Sequence, residues 1–273
     1  MPATYCTAAR RTTLKAPVKV AGTHDWQEPA MSRTQALNTT QTAVPPVRDL
    51  RRFWRIGAAV LIPLGPLGVT IGRGIMPYWT DQSPETIVDN VLANPGSIAV
   101  LNWMGLLLMP ALLLGALALG FVARRSAPVL ATLGSGLLFV SWVGTTNTAS
   151  TDYLTNLLGN NGFDAAAIVH INALIIDDPV NAAAGIFWLF GHLAGMIILA
   201  VALGKAKVVK PWVWIALIAS QPVHFIAAVV IPSRLLDLTL GWGLTTLCSL
   251  LVAAAVLKMS DDEWDLAPLA RRR

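Results

Sequence analysis

The chain has 273 residues, of which 55% are apolar and 13% charged, with a formal net charge of +5. Soluble domains average about 45–50% apolar and about 25% charged residues, so a water-soluble globule is excluded. The positive balance does not point to nucleic acid either, because the chain has no basic stripe interleaved with aromatics that would grip a single strand.

Residues 1–47 are rich in Thr, Ala, Pro and Arg and carry no apolar period, so they are expected to be a disordered polar tail. They hold no apolar core of about 7–15 residues, as a secretory signal needs. Met31 opens a short polar lead, MSRTQALNTTQTAVPP, that runs into a basic flank, which makes it the candidate true start; the alternative is a flexible cytoplasmic tail.

A transmembrane domain is expected over residues 48–258, followed by a short cytoplasmic tail at 259–273. Continuous apolar runs of about 20 residues are what a helix crossing a bilayer requires. A barrel would instead alternate over about ten residues per strand. The predicted spans are Trp54–Met76, Ile98–Ala123, Val129–Thr148, Ala183–Leu203, Trp212–Ile231 and Leu238–Leu257. Pro128 and Pro211 open helices, and Pro232 follows one that ends, as their missing N–H groups allow. Pro63 and Pro66 fall inside the first span and are expected to kink or loosen it. The patterns Gly68-xxx-Gly72 and Gly191-xxx-Gly195 mark close helix crossings.

Between the third and fourth spans, Asp152–Leu158 and Phe163–Ile176 read as short amphipathic helices split by Asn160-Asn161-Gly162, a turn signal. They are expected to lie on the membrane surface or to cap a pocket. Asp177-Asp178-Pro179 reads as a helix start, with acid at the positive end of the dipole.

Arg48, Arg51, Arg52, Arg55, Arg124, Arg125, Lys205, Lys207, Lys210, Lys258 and Arg271–Arg273 fall on one set of connections. The other set holds only Arg73 and Arg234, among eight acidic residues. Excess Lys and Arg marks the cytoplasmic side. The expected architecture is therefore an all-α integral membrane protein of the cell membrane, a six-helix bundle with both termini cytoplasmic. In architecture alone the layout resembles six-pass bacterial membrane proteins, and no functional residue is carried over. Trp54, Trp79, Trp103, Trp188, Trp212, Trp214 and Trp242 fall near span ends and are read as an interfacial belt.

Ionisable residues at membrane depth are costly and point to a site. His192 and His224 fall at a common depth about 10–14 Å inside one boundary, counted at 1.5 Å per residue. Gln221 shares a face with His224, and Pro222 interrupts the helix between them. Asn102, Asn147, Arg73, Arg234 and Asp237 reach a similar level, Arg234 and Asp237 being near enough in sequence to pair. These eight residues are the candidate lining of an outward-facing polar pocket that binds or transports a small molecule.

Two other readings stand beside that one. In one, the histidines are axial ligands of haem b in an electron carrier, the only setting in which they would hold a metal; in the other, the chain is a non-catalytic accessory subunit in which polar groups glue helices together. Membrane lipids are expected neighbours and partner subunits are open, whereas nucleic acid is not expected. No motif in the chain names a reaction. Ser150, Asp152 and His170 lack any G-x-S-x-G context for a hydrolase, and Walker A, H-E-x-x-H, C-x-x-C-H and dinucleotide motifs are absent. Cys6 and Cys248 match no metal or redox spacing.

Overall fold

The computed structural model describes residues 48–146 and 150–266. The tail at 1–47, Asn147 and residues 267–273 lie outside them. Among the described residues every regular element is helical.

Among the described residues, five helices are long and apolar enough to cross a membrane. They are α1 (Arg51–Ile75), α3 (Pro95–Ala123), α7 (Pro179–Lys205), α8 (Pro211–Phe225) with a π-helical extension (Ile226–Val230), and a composite of α9 (Arg234–Leu236), a π segment (Asp237–Gly241) and α10 (Trp242–Lys258). A sixth apolar helix, α4 (Pro128–Thr146), is shorter. The protein is thus a helical membrane-embedded chain. Trp103, Leu106 and Leu107 on α3, Ile186 and Phe190 on α7, and Leu235 are all exposed. An apolar surface of that extent is one a bilayer covers.

Between these helices, α1 lies against α3 and α10, α4 runs along α7, and α8 bridges α7 and α10. The α4–α7 crossing depends on Gly195, where a Cβ would stand 2.8 Å from the Leu138 nitrogen and 3.0 Å from the Gly134 carbonyl oxygen. Only glycine lets the two backbones approach that closely. Pro63 and Pro66 are buried inside α1, which runs through both without ending.

The connections between spans fold as α2 (Pro84–Ala93), α5 (Thr151–Asn160) and α6 (Ala165–Asp177), which pack on one another. Both expected amphipathic helices are present as α5 and α6. Asp178 caps α7 by accepting from the Val180 and Asn181 N–H groups. Missing from the sequence reading was α2, although Ser83 accepts from Thr86 N–H and Pro84 stands at the first helical position.

The segment after Lys258, read as a plain tail, also contains a docked turn, α11 (Asp261–Trp264). Ser260 and Glu263 close a capping box at its start. Trp264 is buried against Phe121, with ring centroids 4.7 Å apart. Arg51 pairs with Asp262, Arg55 with Asp261, and Arg124 with Asp265.

Candidate functional site

The most unusual backbone in the molecule builds the site. Pro222 cannot donate within α8, and four residues later the helix widens into a π turn, with Ile231 N–H bonded to the Ile226 carbonyl at 2.8 Å. Pro232 then stops it. Ser233 caps the next helix, which opens into a second π turn beginning at Asp237. π turns are rare and concentrate at functional sites.

The second π turn directs Asp237 inward until its side chain is fully buried. A desolvated carboxylate requires partners, and it has two. One oxygen accepts from His224 Nδ1 at 2.7 Å and the other from Arg73 Nε at 2.9 Å. Trp242 Nε1 donates to His224 Nε2 at 3.3 Å. Both imidazole nitrogens are therefore occupied, and the partners assign the Nδ1–H tautomer. Gly241 makes room for this, since a Cβ there would stand 3.2 Å from His224 Cα and would also collide with the Asp237 carboxylate.

Arg234 and Asp237, near enough in sequence to pair, do not. Arg234 donates instead to the Tyr78 carbonyl. Its guanidinium lies 5.3 Å from the Trp79 ring centre, and that of Arg73 lies 4.3 Å from it. Trp79 is thus buried beside two cations. The belt reading fails for Trp79 and Trp242, both 6% exposed; Trp54, Trp103 and Trp212 are exposed, as a belt requires.

His192 stands beside this chain, its ring centre 5.8 Å from that of His224, so the common depth read from sequence corresponds to real proximity. His192 Nδ1 donates to the Trp188 carbonyl at 2.7 Å. Its Nε2 is thereby an acceptor, and it is buried with no partner among the described residues, as is the Trp188 Nε1 donor. Trp142 and Trp242 pack around the ring at 5.5 and 6.3 Å. A cavity of about 20 Å³ bounded by His192, Gln221, Trp142 and Trp242 has room for one water. Gln221 gives its amide N–H to Ser220 Oγ at 2.9 Å and to Thr245 Oγ1 at 3.2 Å. Gln221 therefore ties α8 to α10 and only borders the chamber.

Beyond Trp142 and Trp188 is a larger cavity of about 450 Å³, also bordered by Tyr78, Asp152 and Asn181. Tyr78 Oη donates to both Asp152 oxygens at 2.7 Å. Burial pushes the Asp152 carboxyl above its usual range, against the hydrogen bond from Tyr78. Burial, and then the Asp152 charge, push the Tyr78 hydroxyl up. Asn102 borders a separate hollow with Ser150, Tyr153 and Asn156, so it is not part of the histidine cluster.

The residues fit haem poorly. Axial ligation uses one free nitrogen from each ring, yet His224 Nε2 already accepts from Trp242 and tryptophans fill the space around His192. The Ser150, Asp152 and His170 set is not a hydrolytic triad. Ser150 caps α5, Asp152 takes the Tyr78 proton donor, and His170 is exposed. No group of three metal-ligating side chains occurs among the described residues.

Compared with family models, curated proteins and solved structures, the chain matches none. Geometry alone therefore carries the functional reading.

Proposed function

We propose that this is a six-span protein of the cell membrane with both termini cytoplasmic, and that it binds or conducts a small polar solute entering from the outer face. α4 serves as the sixth span: 19 residues at 1.5 Å each give about 28 Å, close to the roughly 30 Å hydrocarbon core. The basic connections set the orientation. The solute enters the cavity at Tyr78 and Asp152 and reaches the chamber behind Trp142 and Trp188.

The observation that carries this reading is the pair of buried, unpartnered atoms at that boundary, the His192 Nε2 acceptor and the Trp188 Nε1 donor. An unmet buried polar atom costs roughly 1–3 kcal/mol. A molecule offering both a donor and an acceptor would remove that cost twice.

The test is cysteine accessibility in a Cys6→Ser/Cys248→Ser background. Gly185, on the cavity wall with open space at its Cβ position, is replaced by cysteine and treated on intact cells with an impermeant maleimide. His192→Cys is treated with a small methanethiosulfonate. Reaction of both from outside is expected. Labelling of Gly185→Cys only after lysis would reverse the topology. An inert thiol at position 192 would mean a sealed chamber and leave the accessory-subunit reading.

A further inference from the structure

A second hollow runs between α1 and α3, with Trp142 and Leu112 separating it from the His192 chamber. On α1 it extends from Gly68 past Gly72 to Arg73 and Met76; on α3, from Leu101 past Gly105 to Leu112. Its walls are apolar except for Arg73, which stands in the last turn of α1, at a span end. The neighbouring faces, Leu67 and Ile71 on α1 and Leu106 and Leu107 on α3, are exposed, so the hollow opens among side chains that meet lipid. From Leu101 to Leu112 the wall is eleven steps long, about 16 Å at 1.5 Å per residue. That is about half of the roughly 30 Å hydrocarbon thickness, one leaflet's depth.

The charge at its top is only half used. Arg73 gives Nε to Asp237, while Nη2 is buried with no partner among the described residues. The indole N–H of Trp79, whose ring lies against the same guanidinium, is also buried and unpartnered. Arg234, 5.3 Å from the Trp79 ring centre, has no carboxylate within ion-pair distance among the described residues. The unused Arg73 donor at the span end, above an apolar slot about one leaflet long, matches an anionic head on a single hydrocarbon chain. The volume, about 220 Å³, holds about seven groups of water or methylene size at roughly 30 Å³ each, room for the head-proximal half of one chain and too little for two chains.

We infer that the α1–α3 groove is a lateral site for a single-chain membrane amphiphile with a carboxylate head, a fatty acid entering from the outer leaflet, bound through Arg73 Nη2. Asp237 serves as the positioning group: by holding Nε it aims the remaining edge of the guanidinium at the ligand, as a fork-shaped donor allows.

The test is equilibrium binding of tritiated palmitate to the purified full chain in detergent, with hexadecanol, the uncharged analogue, as competitor. Gly105→Trp adds an indole at the exposed mouth of the groove, at a residue that also borders the hollow beside Asn102 and where a Cβ meets nothing within 4 Å, and leaves the Arg73–Asp237 pair intact. Saturable palmitate binding is expected, with hexadecanol competing at least tenfold less well and Gly105→Trp weakening binding at least tenfold at an unchanged unfolding temperature. Arg73→Gln should erase the preference for palmitate over hexadecanol. Absence of saturable binding, equal competition by hexadecanol, or wild-type binding by Gly105→Trp would each overturn the site. Gly105 does not border the His192 chamber, so the cysteine results there are unaffected by failure here.

Discussion

Replacing Asp237 with asparagine keeps the shape of the side chain and removes its charge. In the native protein that carboxylate is fully buried, 2.9 Å from Arg73 Nε and 2.7 Å from His224 Nδ1, and Arg73 is itself only 17% exposed. An amide oxygen can still accept one of these bonds, but its NH₂ then faces the other donor. Removing one partner of a buried ion pair costs about 3–5 kcal/mol, mostly because the remaining charge stays desolvated. A neutral interhelical hydrogen bond in a membrane protein averages about 0.6 kcal/mol. The two cases are therefore separable. Unfolding of the purified protein in mixed micelles, titrated with a denaturing detergent, should place Asp237→Asn at least about 3 kcal/mol below wild type. The double variant Arg73→Met/Asp237→Leu should recover much of that loss, since apolar replacement of a whole pair is often neutral or better. If Asp237→Asn alone stays within about 1 kcal/mol of wild type, the carboxylate is not the electrostatic centre of this end of the bundle, and the argument built on it is wrong.

Three further outcomes follow from separate parts of the molecule. Gly241→Ala should cost about 1–3 kcal/mol by overpacking against His224 and Asp237, and the same detergent titration measures it; a neutral result would mean the second π turn yields easily. Trp264→Ala, which empties a buried site against Phe121, should weaken docking of α11 by about 3 kcal/mol or more, raising the undocked population over a hundredfold. Limited trypsin cleavage at the exposed Lys258 should then accelerate; an unchanged rate would show that the ion pairs alone hold α11. Asp152 has a folded-state pKa raised above its unfolded value, so the folded protein binds the extra proton and stability falls as pH rises from 3.8 through that raised value. Packing of α5 should therefore tighten on acidification across that window, read by hydrogen exchange at α5 amides, and Asp152→Asn should remove the dependence.

Length and apolarity made the spanning helices readable, because a bilayer demands continuous runs with few charges. Caps made α7 readable, since Asp178-Pro179 is a local signal. α2 carries a similar signal in Ser83-Pro84-Glu85, but its run is short and not strongly apolar. His192 and His224 were found by depth alone, which one helix at a time can supply. Pairing was not readable in the same way. Which cation Asp237 meets depends on a π turn that no propensity announces, and that turn sends it to Arg73, 164 positions away in the chain. The tryptophans misled for a related reason: closeness to a span end is visible in sequence, but facing inward or outward is not.

The distribution of unmet polar atoms argues that this end of the bundle is more than glue. Where side chains simply join helices, their bonds close: Thr70 meets Thr246 at 2.8 Å and Ser220 meets Thr245 at 2.8 Å. Among the described residues, the buried side-chain atoms left without a hydrogen bond include Arg55 and Asp261, which form an ion pair with each other, and Asn172 in α6. The remaining four, on Arg73, Trp79, Trp188 and His192, all lie in the layer around the two histidines and Asp237. Packing faults would be scattered through the bundle, each costing roughly 1–3 kcal/mol for no gain. Four in one layer, beside two π turns and a fully buried carboxylate, are the donors and acceptors that the proposed binding of a solute would satisfy.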